Sequence, residues 1–390
     1  MRFLYILLFL LTATSSWSQN QFFLDTSSYN SALEASKTQG KPVFIMLYAD
    51  WCPHCTQMKN NVFNDASVTD YLKSNFICLT KNVDQEEGVE LKNKFGTKSL
   101  PAFLFIDKNE TLLYALKGEM KKQEFMAEVG YALNPKMHLN YLEKQFMDDP
   151  SSSVKFLSYL NVLKKGKERT QLSPATHHYL NTQSDAQLIS EVNWRIISNG
   201  VTDINSREFQ YVLKHKKEFE AVASPIRVER KIESIVKELL RPHVDNLDAT
   251  SYYRDRETAK SIGLPKTDSL IFRYDLTLAE RVSNWEFYQK TTLENTGKMA
   301  WNDAAYLKEI GHVYHKYITD ETSLKKAVSW IKRSLELNDS YDGNLLLAKL
   351  YHKLNDKKSA MQYAKTAKLI GTEMSWDTAE VDVLLKTLKS

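Results

Sequence analysis

Two cysteines three positions apart, Cys52 and Cys55 in Trp51-Cys52-Pro53-His54-Cys55, carry the strongest chemical signal in the sequence. On a helix this spacing puts both thiols on one side, close enough to form or open a disulfide. The first thiol falls where a helix would begin. There the unpaired N–H groups and the helix dipole favour a thiolate. His54 adds an imidazole whose positive form also favours charged sulfur. The chemistry these residues suit is thiol–disulfide exchange, in which one thiolate attacks a client sulfur and the second resolves the mixed disulfide. Metal binding by Cys52, Cys55 and His54 is the competing use. A structural zinc site wants four ligands, and neither a second C-x-x-C nor a nearby histidine pair supplies them. No metal is assigned, and no cofactor is implied beyond a redox-active Cys52–Cys55 disulfide.

Several elements must position this pair. Pro42 to Ala49 is an apolar run that reads as a buried strand, and Cys55, Met58 and Val62 follow at the spacing of one helix face. Strand, turn, C-x-x-C and helix form the context that gives the motif a redox reading. Around it, Ser27 or Ser28 caps a helix carrying Tyr29, Ala32 and Leu33, and Asn64-Asp65 starts another with Val68, Tyr71 and Leu72. A strand is expected over 76–83 and a helix over 86–95, closed by Gly96. Pro101 introduces a strand at 102–106. Asp107-Lys108-Asn109-Glu110 turns into a strand at 111–116, and a last helix carries Phe125, Val129 and Ala132. The order is βαβαββα, an α/β domain with a mixed sheet.

At Tyr48-Ala49-Asp50-Trp51-Cys52, with Lys59 and Val62-Phe63 downstream, the chain resembles the thioredoxin superfamily, above all its exported members. The inner pair Pro53-His54 is similar to that of periplasmic disulfide-forming oxidases. Ser99-Leu100-Pro101-Ala102-Phe103 is a second match. The resemblance covers roughly residues 25 to 135 and implies that Pro101 is cis and faces the cysteines. It further implies that Cys52 attacks, that Cys55 resolves, and that Pro101, Leu100, Pro53 and Trp51 shape a groove for a client peptide. Two departures stand out. The family buries a carboxylate six residues before the first cysteine, where this chain has Met46, and Thr80 replaces the lysine of the paired strand. Asp50 is too close to the exposed turn to substitute, and Lys59 reads as a solvated residue of the redox helix. Losing the buried charge and gaining His54 both favour the reduced pair, placing the potential on the oxidising side of roughly −270 mV for thioredoxin.

The chain has 390 residues, 43% hydrophobic and 26% charged, with a formal net charge of +4. That charge is too small to argue for nucleic acid or an anionic membrane. Residues 1–18 read as a signal peptide: Arg2, an apolar core from Phe3 to Leu11, then Ser16-Trp17-Ser18 with small residues at the cleavage positions. The apolar run is shorter than the roughly 20 residues that span a bilayer, so the expected mature chain is exported, periplasmic or secreted, with no membrane span. Cys78, in Phe76-Ile77-Cys78-Leu79, reads as a small apolar strand residue.

Beyond about residue 137 the β pattern ends. Asp148-Asp149-Pro150-Ser151-Ser152-Ser153 reads as a polar break. Amphipathic helical stretches follow, such as Val154 to Lys164 and Ile226 to Leu240, separated by turn signals at Ser173-Pro174, Asn199-Gly200, Arg241-Pro242 and Leu264-Pro265. An all-α, solenoid-like C-terminal domain is expected. Near its end Tyr314-His315-Lys316 recurs as Tyr351-His352-Lys353. Ala327, Trp330, Ser334 and Leu337 recur as Ala360, Tyr363, Ala367 and Ile370. A repeat of roughly 34 residues with small and aromatic residues at fixed places resembles tetratricopeptide repeats. His312 and His315 read as packing residues rather than metal ligands, and Trp301, Trp330 and Trp376 as fillers of interhelical gaps.

The expected organisation is a signal peptide at 1–18, a thioredoxin-like domain at 19–136, a helical domain at 137–300 and tetratricopeptide-like repeats at 301–390. The expected function is an exported thiol–disulfide oxidoreductase acting on client proteins, served by an unidentified redox partner, with the helices binding a protein partner. The alternative from another class is a non-catalytic scaffold that uses the helices for binding and the first domain for docking.

Overall fold

The computed structural model describes residues 28–389, so the signal-peptide reading of 1–18 lies outside the described residues. The chain divides into two compact units at Thr202/Asp203.

In the first unit, Ser28 caps α1 (Tyr29–Gln39) by accepting the Ser31 N–H, and Gly40 ends it at φ +67°. A left-handed residue there costs glycine no Cβ clash. The apolar run becomes β1 (Val43–Tyr48). It is followed by α2 (Pro53–Met58), which continues into a π turn at Lys59–Phe63. Asp65 caps α3 (Ala66–Asn75), on which Val68 and Leu72 are buried while Tyr71 is exposed. Then come β2 (Ile77–Asn82), α4 (Glu86–Lys94), β3 (Ala102–Ile106), β4 (Leu112–Lys117) and α5 (Lys122–Ala132). Gly96 closes α4 as expected, at φ +62° just past the helix end. The sheet order is β2-β1-β3-β4. β1 and β2 are parallel, and the other two pairings are antiparallel. This is the mixed sheet expected from the βαβαββα order.

One face of the sheet is filled by phenylalanine. The Phe44 ring lies 5.2–6.4 Å from the rings of Phe63, Phe76, Phe103, Phe105 and Phe125, which join β1 and β3 to the π turn and α5. Aromatic pairs at such distances add to the burial of their area. The core thereby fixes the end of β1 from which the cysteine turn departs. Cys78 pairs with Phe44 across β1 and β2 and is half-buried rather than fully enclosed.

The first unit does not stop at residue 136. The helices α6 (Leu139–Met147) and α7 (Ser153–Gly166) pack against β4. Gly166 sits so close that an added Cβ would come within 2.4 Å of Ala115 Cβ. β4 is the edge strand of the sheet, and the packing of α7 on Ala115 buries that side chain. The polar stretch 148–153 is therefore the turn between α6 and α7, with Ser152 capping α7, and not a break between compact units. A 3₁₀ turn at Arg169–Leu172 leads into α8 (Ser173–Leu180), α9 (Asp185–Leu188) and α10 (Glu191–Gly200).

The second unit is helical throughout its described residues. It comprises α11 (Arg207–Lys214), α12 (Lys216–Ala223), α13 (Pro225–Asp245), α14 (Ala249–Lys260), α15 (Pro265–Arg281), α16 (Trp285–Met299), α17 (Ala304–Tyr317), α18 (Glu321–Leu337), α19 (Tyr341–Lys353), α20 (Lys357–Glu373) and α21 (Ala379–Lys389). The recurring residues fall on two antiparallel helix pairs. Tyr314 of α17 packs edge-on against Trp330 of α18, and Tyr351 of α19 stacks on Tyr363 of α20. Ala327 and Ala360 are both fully buried. Arg241-Pro242, read as a turn, lies inside α13 instead. A proline forfeits only one helical hydrogen bond, and the buried Leu240 and Val244 hold the helix across it. Of the three tryptophans, only Trp330 fills an interhelical gap. Trp301 is exposed beside the Arg333 guanidinium, and Trp376 is exposed beside Tyr341.

Candidate active site

Cys52 stands at the N-cap of α2 and Pro53 at its first position. Proline suits that position because its missing N–H would be unpaired there anyway. The Cys52 sulfur does the work of a capping oxygen: it accepts the Cys55 N–H at 3.2 Å. The two thiols are thus brought together in one turn, unlinked, and both are buried, Cys52 at 4% exposure and Cys55 at 1%. Burial pushes the Cys55 thiol up to about 12, its hydrogen bond to Cys52 adds to this, and the Lys59 charge opposes it.

Beneath the pair, Met46 is fully buried. It faces Thr80 on β2 and Phe103 on β3, so the place of the absent carboxylate belongs to the phenylalanine core. The reading of Lys59 as a solvated residue is corrected by the structure. Lys59 is half-buried, and its Nζ lies 3.5 Å from the centre of the Tyr48 ring. Burial draws its pKa down, against the opposing charges of Asp50, Cys55 and Cys52. Asp50, exposed, accepts a hydrogen bond from Asn82 Nδ2 at 2.9 Å. Lys59 and Asp50 are therefore charged neighbours of the cysteine pair. Sequence spacing did carry a signal for Lys59, which lies one helical turn beyond Cys55.

His54 is exposed on the first turn of α2 and its Nδ1 lies 2.9 Å from Glu119 Oε2. Glu119 belongs to the loop between β4 and α5, where the Met120 N–H also reaches Met58 Sδ at 3.2 Å. Glu119 was missed in the sequence because nothing local marks a partner so far along the chain. Between these elements lies a groove of about 580 Å³ lined by His54, Gln57, Val62, Glu119, Met120 and Lys122. Trp51 is 69% exposed, and its indole N–H donates to Asp84 Oδ2 at 2.8 Å, which holds the ring on the opposite side of the turn.

The Leu100–Pro101 bond is cis. Ala102 pairs with Leu47, and Pro101 O accepts the Gly118 N–H at 2.8 Å. These bonds place Pro101, buried, beside the end of β1, with Leu100 half-buried before it. The turn at 49–52, the loop at 98–101 and the loop at 118–121 thus meet at one end of the sheet. Among the described residues no cluster of three or more His, Cys, Asp or Glu is arranged to hold a metal ion.

Comparison with known proteins matches residues 29–133 to the thioredoxin-like domain family. This segment is a thioredoxin-like domain. Its curated relatives include the chloroplastic thioredoxin-like protein HCF164 of Oryza sativa subsp. japonica, 29% identical over 106 residues, which are 27% of this chain and 39% of that protein. The thiol:disulfide interchange protein DsbD of Yersinia pestis (strain Pestoides F) is 35% identical over 95 residues, 23% of this chain and 16% of that protein. Among solved structures, a thioredoxin from Thermus thermophilus is 28% identical, with 26% of this chain and 82% of that one covered and a TM-score of 0.25. The chain spans well under half the length of these curated relatives. No helix of the described residues is long and apolar enough to cross a membrane.

Proposed function

We propose that the chain is an exported thiol–disulfide oxidoreductase that acts on protein clients through Cys52 and Cys55. The observation that carries this reading is the Cys55 N–H to Cys52 Sγ hydrogen bond at the N-cap of a helix leaving β1 in a thioredoxin-like domain. Two thiols in one turn of helix, one at its start and one deeper with a raised pKa, are arranged for sequential use. In the reducing direction, Cys52 as thiolate attacks one sulfur of a client disulfide. A Cys52–client disulfide forms and a client thiolate leaves. Cys55 then gives up its proton and attacks Cys52 Sγ, which releases the second client thiolate and leaves the Cys52–Cys55 disulfide. An external dithiol partner returns the pair to its reduced form, and the oxidising direction is the reverse. Pro101 and Leu100 would line the client's path, with Trp51 and Pro53 on its other side. Lys59 is the charge that would ease ionisation of Cys55 by stabilising its thiolate, a different device from the proton-accepting carboxylate of the family. The two repeated helix pairs of the second unit are tetratricopeptide-like and would bind a protein partner.

The test is insulin reduction by the wild-type chain and by Cys52→Ser, combined with trapping by Cys55→Ser. Turnover lost in the first variant and a reductant-sensitive client adduct in the second are expected. A wild type that neither reduces insulin nor oxidises a dithiol peptide leaves the scaffold reading in place.

A further inference from the structure

The loop from Phe95 to Pro101 forms one wall of the cysteine site, yet it has little internal structure. Among the described residues no backbone–backbone hydrogen bond involves residues 98–100. The loop is held instead by side chains from the end of α7 and the 3₁₀ turn after it. Lys167 Nζ donates to Phe95 O at 2.8 Å, and Gln171 Nε2 donates to Gly96 O at 3.1 Å. Ser99 Oγ donates to Glu168 Oε1 at 2.6 Å. The same oxygen lies 3.1 Å from Lys117 Nζ at the end of β4. Gln171 is itself fixed, because its Oε1 accepts the Glu168 N–H at 2.9 Å. Burial works against the charge of Glu168, but the hydrogen bonds from Ser99 and Lys117 outweigh it and hold the carboxyl below its ordinary range. An ionised acceptor makes the Ser99 bond one of the stronger kind.

We propose that Glu168 is a positioning residue of the redox site: through Ser99 it fixes the loop that ends at Pro101, so that the helical segment after the thioredoxin-like domain sets how a client docks beside Cys52. This rests on the oxidoreductase reading above. Glu168 touches neither thiol, so its removal should alter client binding and leave the chemistry of the pair alone.

The experiment uses the full chain and compares wild type, Glu168→Ala, Glu168→Gln, Ser99→Ala and the double variant Glu168→Ala/Ser99→Ala. Steady-state reduction of insulin gives KM and kcat, and equilibration with glutathione buffers gives the potential of the Cys52–Cys55 pair. Glu168→Ala should raise KM about tenfold, the factor produced by losing one hydrogen bond to a charged group, with kcat and the potential unchanged. Ser99→Ala should do the same, and the double variant should be no worse than either single one. Glu168→Gln keeps an acceptor oxygen and should recover most of the loss. If Glu168→Ala does not fold, Ser99→Ala removes the same bond from the other side. An unmoved KM in Ser99→Ala and Glu168→Ala, or a potential that moves with KM, overturns the role of Glu168 alone. A wild type inactive in both directions overturns the oxidoreductase reading, and the positioning role with it.

Discussion

Cys52 and Cys55 share a motif but not a position: Cys52 caps α2 and Cys55 lies one turn inside it. Burial and the bond to Cys52 keep the proton on Cys55 until the pH approaches about 12, so it has no thiolate to offer at neutral pH. Iodoacetamide at pH 7–8 should modify Cys52 in the native protein, and Cys55 only after denaturation, as read by mass after digestion. Lys59 opposes the rise at Cys55. Replacing Lys59 with Met should lengthen the life of a Cys52–client mixed disulfide by about three- to fourfold for each pKa unit gained, the tenfold loss of thiolate being partly offset by its greater nucleophilicity. An unchanged lifetime in quenched-flow trapping would deny Lys59 its role. His54 behaves less simply than its place in the motif implies. The Glu119 carboxylate beside His54 Nδ1 brings a negative charge to the turn that carries Cys52, so Glu119→Gln should make the pair more oxidising, on the order of 30 mV for 1.4 kcal/mol. The cysteines, His54 and Pro101 were legible because their information is local. Glu119 and Glu168 were not, because each meets its partner only after the sheet has folded.

At the level of elements, apolar run length and turn chemistry went furthest. β1 was readable because every residue of Val43–Leu47 is buried, leaving no alternation to confuse with an exposed strand. Arg241-Pro242 misled because a proline near a helix end is tolerated when the surrounding turn is well packed, and packing has no local signature. Met46 shows how an element absorbs a departure from a family pattern. It sits in register between Thr80 and Phe103, so a carboxylate there would have no cation across the strand and aromatic rings around it. Met46→Asp should therefore destabilise the first unit by about 3–5 kcal/mol, the cost of an unpaired buried charge. Adding Thr80→Lys should recover part of it. Urea unfolding followed by tryptophan fluorescence measures both, and a Met46→Asp chain as stable as wild type would mean the site admits water.

At the level of the whole molecule, the division into units was the least legible feature. A polar turn and a true boundary look alike in sequence, and only the packing of α7 on β4 separates them. Limited proteolysis should therefore cut near residues 202–205 before it cuts at 148–153. The second unit carries its own pH response. His315, half-buried on α17, has its pKa drawn down by burial and then by the neighbouring charges of Lys349, Lys353 and His312, with Glu380 opposing. A depressed histidine stays neutral in the folded unit, while in the unfolded chain it takes up a proton near its ordinary value of 6.5. Its contribution to stability is thus fully present above pH 6.5 and is lost as the pH falls through the folded value. Hydrogen exchange of α17–α20 should accelerate between pH 7.5 and 5.5, after correction for intrinsic rates, more than exchange of the sheet in the first unit. His315→Gln, which cannot protonate, should reduce that excess, and His312, whose pKa burial also draws down, carries the remainder. If the variant keeps the wild-type pH response, the acid sensitivity of this unit arises from other groups, and His315 is spaced like its counterpart His352 for packing alone.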